Sequence, residues 1–158
     1  MKRAMQVLGS SVLLAFAPMA GAHETGDPVA LKMASGFAAL AGSQDNALVL
    51  VQALHDGTPA RLCLGDEASP ALPDFLVIDS PTGPMGWHDV RMALMLARDA
   101  LRRHLVYHPT REQLQAVLLG GEIHTRTGKS VGLRGVLRMR AEGLNWGAIA
   151  AERYRRAS

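Results

Sequence analysis

The most regular alternation of apolar and polar positions runs from Trp87 to Leu105. Trp87, Val90, Leu94, Ala97, Leu101 and Leu105 step by three and four, which predicts a helix with this stripe toward the core. Arg91, Met95, Arg98 and Arg102 form a second line on the same helix, so a cationic face lies beside the apolar one. Tyr107-His108-Pro109 is expected to end it, because the residue before a proline is kept out of helical geometry. A second helix is expected between Ser43 and Gly57. Ser43 can cap it, Asp45 suits the electropositive first turn, and Ala47, Leu50, Val51 and Leu54 share one face. Gly57 stands where a C-terminal glycine belongs. Thr110-Arg111-Glu112-Gln113 matches a capping box, with Leu114, Val117 and Leu118 as anchors and Gly120-Gly121 as the stop.

The remaining segments are shorter. Asp27-Pro28 offers a cap followed by proline at the first helical position, predicting a short helix to about Ala34. Phe37 to Ala41, between Gly36 and Gly42, has no decisive period. Ala60 to Leu64 and Phe75 to Ile78 read as strands, with a loop at Gly65 to Pro73. Ser80 to Gly86 is too rich in proline and glycine for regular structure. Glu122 to Gly132 reads as a small hairpin turning at Thr127-Gly128-Lys129, and Leu133 to Ala141 and Asn145 to Arg155 as two helices broken at Gly143. The sum is a mostly helical α+β fold with about five helices and a small two- or three-stranded sheet in one compact domain.

The first 22 residues break this pattern. Lys2 and Arg3 precede an apolar run from Val7 to Met19, and Ala20-Gly21-Ala22 has the small-x-small form of a signal-peptidase site. The run is shorter than the roughly 20 residues of a membrane span, and no stop-transfer segment follows. The expectation is an exported protein, periplasmic or secreted, with a signal at 1–22 and a globular domain at 23–158 whose first residues, 23–27, are flexible. No cysteine follows the cleavage site directly, which argues against a lipid anchor there.

Charge then divides the chain. Loss of Lys2 and Arg3 lowers the net charge from +3 to +1. Residues 23–82 carry Lys32 and Arg61 against eight carboxylates, whereas residues 83–158 carry 13 basic residues against six acidic ones. Either the two halves neutralise each other, or the basic half meets an anionic envelope component or an acidic protein. In the second case the contacts centre on Arg98, Arg102, Arg134, Arg138 and Arg140. Met85 and Trp87, presented by the glycine-bearing loop beside Arg91, form a candidate surface for a planar or apolar group next to an anion. The alternative is that both side chains staple the loop to the core.

Cys63 is the one cysteine, so no intramolecular disulfide and no cysteine-based zinc site can form. Within Leu62-Cys63-Leu64 it reads as a buried small hydrophobe, with an intermolecular disulfide as the alternative. Thr127-Gly128-Lys129-Ser130 is not a phosphate loop, because Ile123 stands where the motif needs its first glycine. HExxH and G-x-S-x-G are absent, and no local pattern marks a nucleophile, so the chain leans away from catalysis, with an enzyme of unrecognised type as the alternative. Histidine is the more suggestive type. Cleavage after Ala22 would leave His23 with a free amine and an imidazole, a pair that chelates copper, and His104 and His108 are four apart on the long predicted helix. The same two histidines are also explained by the helix dipole. Met92, Met95 and Met139 fall within helical patterns as core filling.

The stretch Leu137 to Ala150 resembles the first two helices of a helix-turn-helix, with Gly143 in the turn and Leu144 and Ile149 packing inward. Base reading would fall to Ala148, Ala151 and Glu152, which supply little for it, so sequence-specific nucleic-acid binding is not expected. Together with Leu40 to Ser43 and Pro81 to Gly86, this block resembles small exported bacterial proteins to which no activity is assigned. The resemblance implies an export signal and a single domain.

Overall fold

The computed structural model describes residues 27–63, 75–125 and 128–155, with side chains as far as Glu152. Asp27 accepts a hydrogen bond from the Val29 N–H at 2.8 Å and starts α1, Pro28–Ala41. This helix is longer than its sequence suggests and runs through Gly36, because its buried face of Ala30, Ala34, Phe37 and Leu40 continues past the glycine. Tertiary burial outweighs the roughly 1 kcal/mol that glycine costs inside a helix. Gly42 ends α1 and Ser43 caps α2, Gln44–Asp56, by accepting from the Asn46 N–H at 3.0 Å. Gly57 then closes α2.

β1, Ala60–Cys63, and β2, Phe75–Ile78, pair antiparallel with Leu62 opposite Leu76. Ala60, Leu62, Leu76 and Ile78 face the core, and the period of two sends Arg61, Cys63, Phe75 and Val77 outward. Cys63 is therefore exposed rather than a buried hydrophobe. Apolar neighbours on both sides conceal the phase of the strand in the sequence. Leu64 and the loop expected at Gly65 to Pro73 lie outside the described residues.

One buried amide ties these elements together. The Asn46 Nδ2 donates to the Ala41 carbonyl at 3.1 Å and to the Cys63 carbonyl at 2.7 Å, while its Oδ1 accepts from the Cys63 N–H at 2.9 Å. The end of α1, the start of α2 and the end of β1 converge on this side chain, which is only 5% exposed. Its hydrogen bonds satisfy a polar group that would otherwise be costly to bury.

α3, Trp87–Arg103, buries Val90, Leu94, Ala97 and Leu101 as its stripe requires. The stripe stops there. The helix ends at Arg103, ahead of the Pro109 that was expected to end it, and Leu105 swings out to 58% exposure. α4, Arg111–Leu119, starts with the expected reciprocal capping box between Thr110 and Gln113. β3, Gly121–His124, and β4, Ser130–Leu133, form the hairpin, with Ile123 opposite Val131. Leu133 thus belongs to a strand and not to the following helix; Thr127 of the predicted turn is outside the described residues.

Gly135 separates β4 from α5, Val136–Ala141. It has φ 78°, and a Cβ there would lie 2.3 Å from the Gly120 nitrogen, so the end of α4 approaches too closely for any side chain. Gly143 breaks the chain before α6, Trp146–Arg155, as expected, and Ile149 is fully buried. Among the described residues, six helices and two separate two-stranded sheets result, one helix and one sheet more than the sequence suggests, around one continuous hydrophobic core. None of the described helices is long and apolar enough to cross a membrane.

Candidate functional site

The arginines singled out by the sequence fall into two groups. Arg134 and Arg140 are engaged internally. Arg134 reaches Glu142 at 2.6 Å and Glu152 at 3.6 Å, joining the entry of α5 to α6. Arg140 lies 3.8 Å from Asp89, donates to the Leu144 carbonyl at 3.3 Å and covers the Trp146 ring at 4.8 Å. The Trp146 indole N–H donates to Asp89 at 2.7 Å, so Asp89 binds α6 to the first turn of α3. These ion pairs lie within residues 83–158, so part of the excess positive charge is neutralised inside the basic half itself. Arg91, Arg102 and Arg138 are exposed, and among the described residues none of the three makes an ion pair.

Arg98 is the intermediate case. Its guanidinium covers the Phe37 ring at 5.1 Å and donates to the Gly36 carbonyl at 3.2 Å, pinning α3 to the middle of α1. Its Nε is buried without a hydrogen-bond partner, leaving donor capacity unused. Arg98 and Arg102 line a shallow cleft of about 50 Å³ with Gly36, Ala39, Leu40, Leu101, Val106, Tyr107 and Pro109. That volume suits a few waters or one small anionic group, and is far below the roughly 300 Å³ at which drug-sized ligand pockets begin.

The backbone explains why the cleft sits there. The Leu105 N–H donates to the Arg102 carbonyl and the Val106 N–H to the Leu101 carbonyl, each at 3.0 Å. This is a Schellman closure, and it turns the chain back so that Val106 packs inward beside Leu101. Tyr107 and Pro109 then line the cleft beyond the helix end.

The loop candidate resolves differently. Met85 is buried, and its N–H donates to the Leu54 and His55 carbonyls at 3.2 Å. Trp87 stacks on the His55 ring with centroids 3.7 Å apart, while His55 Nδ1 lies 2.8 Å from the Met85 carbonyl. Met85 and Trp87 therefore hold the loop against the end of α2, and Arg91 is the exposed member of the three. Met92 and Met95 are half-buried in α3 and Met139 is buried in α5.

His104 and His108 do not share a helix face. His104 caps α3 and His108 lies beyond the turn, so the four-residue spacing no longer places their rings on one side. Among the described residues no three histidine, cysteine or acidic side chains come together as a metal site, and His23 lies outside them. Leu144 and Ile149 do pack inward around Gly143, but α5 has only six residues and Glu152 is engaged with Arg134.

Sequence reasoning missed Leu105 and Tyr107, both 58% exposed at the rim of this turn. Leu105, Val106 and Tyr107 are all apolar or aromatic, so their order in the sequence carries no signal of which of them faces out. No family model, curated protein or solved structure matches the chain.

Proposed function

We propose that this is an exported binding protein that engages an anionic partner through the basic end of α3. The observation that supports it best is the Arg98–Arg102 cleft. Two guanidinium groups border one recess, one holds a buried Nε with no partner, and the other is exposed and unpaired among the described residues. Guanidinium groups recognise carboxylate and phosphate oxygens in paired hydrogen bonds, so an anionic group seated there gains both charge and geometry. Export is the expectation drawn from residues 1–22.

Two charge reversals separate a site from a general charge effect. Arg102→Glu and Arg138→Glu change the net charge equally, at the cleft and on α5 respectively. Retention on an immobilised sulfated polysaccharide, read as the salt concentration needed for elution, is expected to fall much further for Arg102→Glu. Equal losses, or retention insensitive to salt, contradict the proposal.

A further inference from the structure

Among the described residues, nine have positive φ; eight of these are glycines and the ninth is Leu105, at 59°. A branched side chain in this conformation is strained, and such strain persists only where something else maintains it. Folding does not obviously need this side chain. The two closing hydrogen bonds come from the backbone, and the apolar side chains that the motif turns inward are the buried Leu101 and Val106. The Leu105 side chain points into solvent, with Tyr107 equally exposed two residues on.

We infer that this turn docks on an anionic phospholipid surface: Leu105 and Tyr107 enter the bilayer interface while Arg102 meets headgroup phosphate. The inference rests on the anionic-partner reading above and names its chemistry. A tyrosine with an apolar ring and polar tip, an exposed leucine and an adjacent exposed arginine together match the interfacial layer of a membrane. His104 and His108 flank the turn, and the carboxylates nearest in sequence are Asp99 and Glu112, the latter accepting from the Thr110 hydroxyl at 2.8 Å. A second copy is a poorer occupant, because a twofold contact centred on this turn sets Arg102 against its own image. The 50 Å³ recess is also too small to enclose an amphiphile, which leaves an extended surface as the complement.

The test is co-sedimentation of the chain, in the form the cell holds and with its N-terminus determined, with two kinds of vesicle. One mixes phosphatidylglycerol with phosphatidylcholine and the other is phosphatidylcholine alone. Binding is expected on the anionic vesicles and is expected to weaken with salt, roughly fivefold for loss of each surface cation. Leu105→Gly should lower partition by about tenfold, the loss expected from one leucine leaving an apolar phase. Glycine also relieves the strain, so the same variant should unfold about 3 °C higher, which separates lost docking from lost folding. Tyr107→Ser should weaken partition in the same direction.

Equal partition of the wild type and Leu105→Gly overturns the inference. So does loss of binding to inorganic phosphate competition with Leu105→Gly unaffected, which leaves a simple ion contact and the anionic-partner reading intact. A concentration-dependent dimer that Leu105→Gly abolishes likewise overturns it in favour of a second copy. If the chain binds neither anionic vesicles nor the sulfated matrix, both readings fall.

Discussion

α2 and α3 end in the same way with different residues. Thr58 donates to the Ala53 carbonyl at 3.0 Å past Gly57, and Val106 donates to the Leu101 carbonyl at 3.0 Å past Leu105. Both turning residues are left-handed, at φ 70° and φ 59°. At α2 glycine is required twice over, since a Cβ on Gly57 would lie 2.5 Å from Pro84 in the loop that packs there. At α3 nothing in the backbone asks for leucine, and an L side chain costs about 1 kcal/mol in that region. α5 closes as α2 does, with Leu144 donating to the Met139 carbonyl at 3.1 Å past Gly143. Glycine stands where the closure serves packing alone. The exception coincides with the helix end at which Arg102, exposed and without an ion pair among the described residues, borders a cleft.

The largest effect is expected at the end of α2. Gly57→Ala combines a strained φ with a collision against Pro84, and we expect a loss of about 3 kcal/mol in denaturant unfolding. A neutral result would show that the loop at residues 80–86 is not seated on α2 as described. Asn46→Leu, which orphans the Cys63 backbone N–H and two carbonyls, should cost about 2 kcal/mol by the same measurement. Wild-type stability in this variant would mean that the buried amide is dispensable. At α3 the sign reverses: Leu105→Gly should gain about 1 kcal/mol, a change visible only if the strain is real. The smallest effect belongs to Arg134→Ala, whose ion pairs are partly exposed and should contribute about 0.5 kcal/mol, falling further in high salt.

How much of this was legible in the sequence depends on the range of the determining contact. The Ser43 cap, the Thr110–Gln113 box and the buried stripe from Val90 to Leu101 are local, and sequence periodicity or spacing finds each of them. Periodicity also carried the stripe one step too far. A pattern of apolar positions does not record where backbone hydrogen bonding changes from helix to turn, so Leu105 read as core. Nothing local marks Asn46, because its partner Cys63 lies 17 positions away. The tie between Asp89 and Trp146 spans 57 positions and leaves no trace in local composition.

Among the candidate site residues, Arg98 and Arg102 were found together because they share a helix face, and the structure does set them on one cleft. Arg134 and Arg140 were grouped with them on charge alone. Their neutralisation by Glu142, Glu152 and Asp89 depends on how α5 and α6 pack, which charge counting does not convey. The Met85–Trp87 loop was read from composition, and its attachment to His55 and the end of α2 is likewise a tertiary fact.

The most direct measurement is the thermal unfolding midpoint of Leu105→Gly against the wild type at matched concentration and salt. Leu105 serves what it presents outward at some expense to the fold, so the midpoint should rise by about 3 °C. A fall would show that the exposed leucine supports the native structure, and the contrast between the ends of α2 and α3 would lose its meaning.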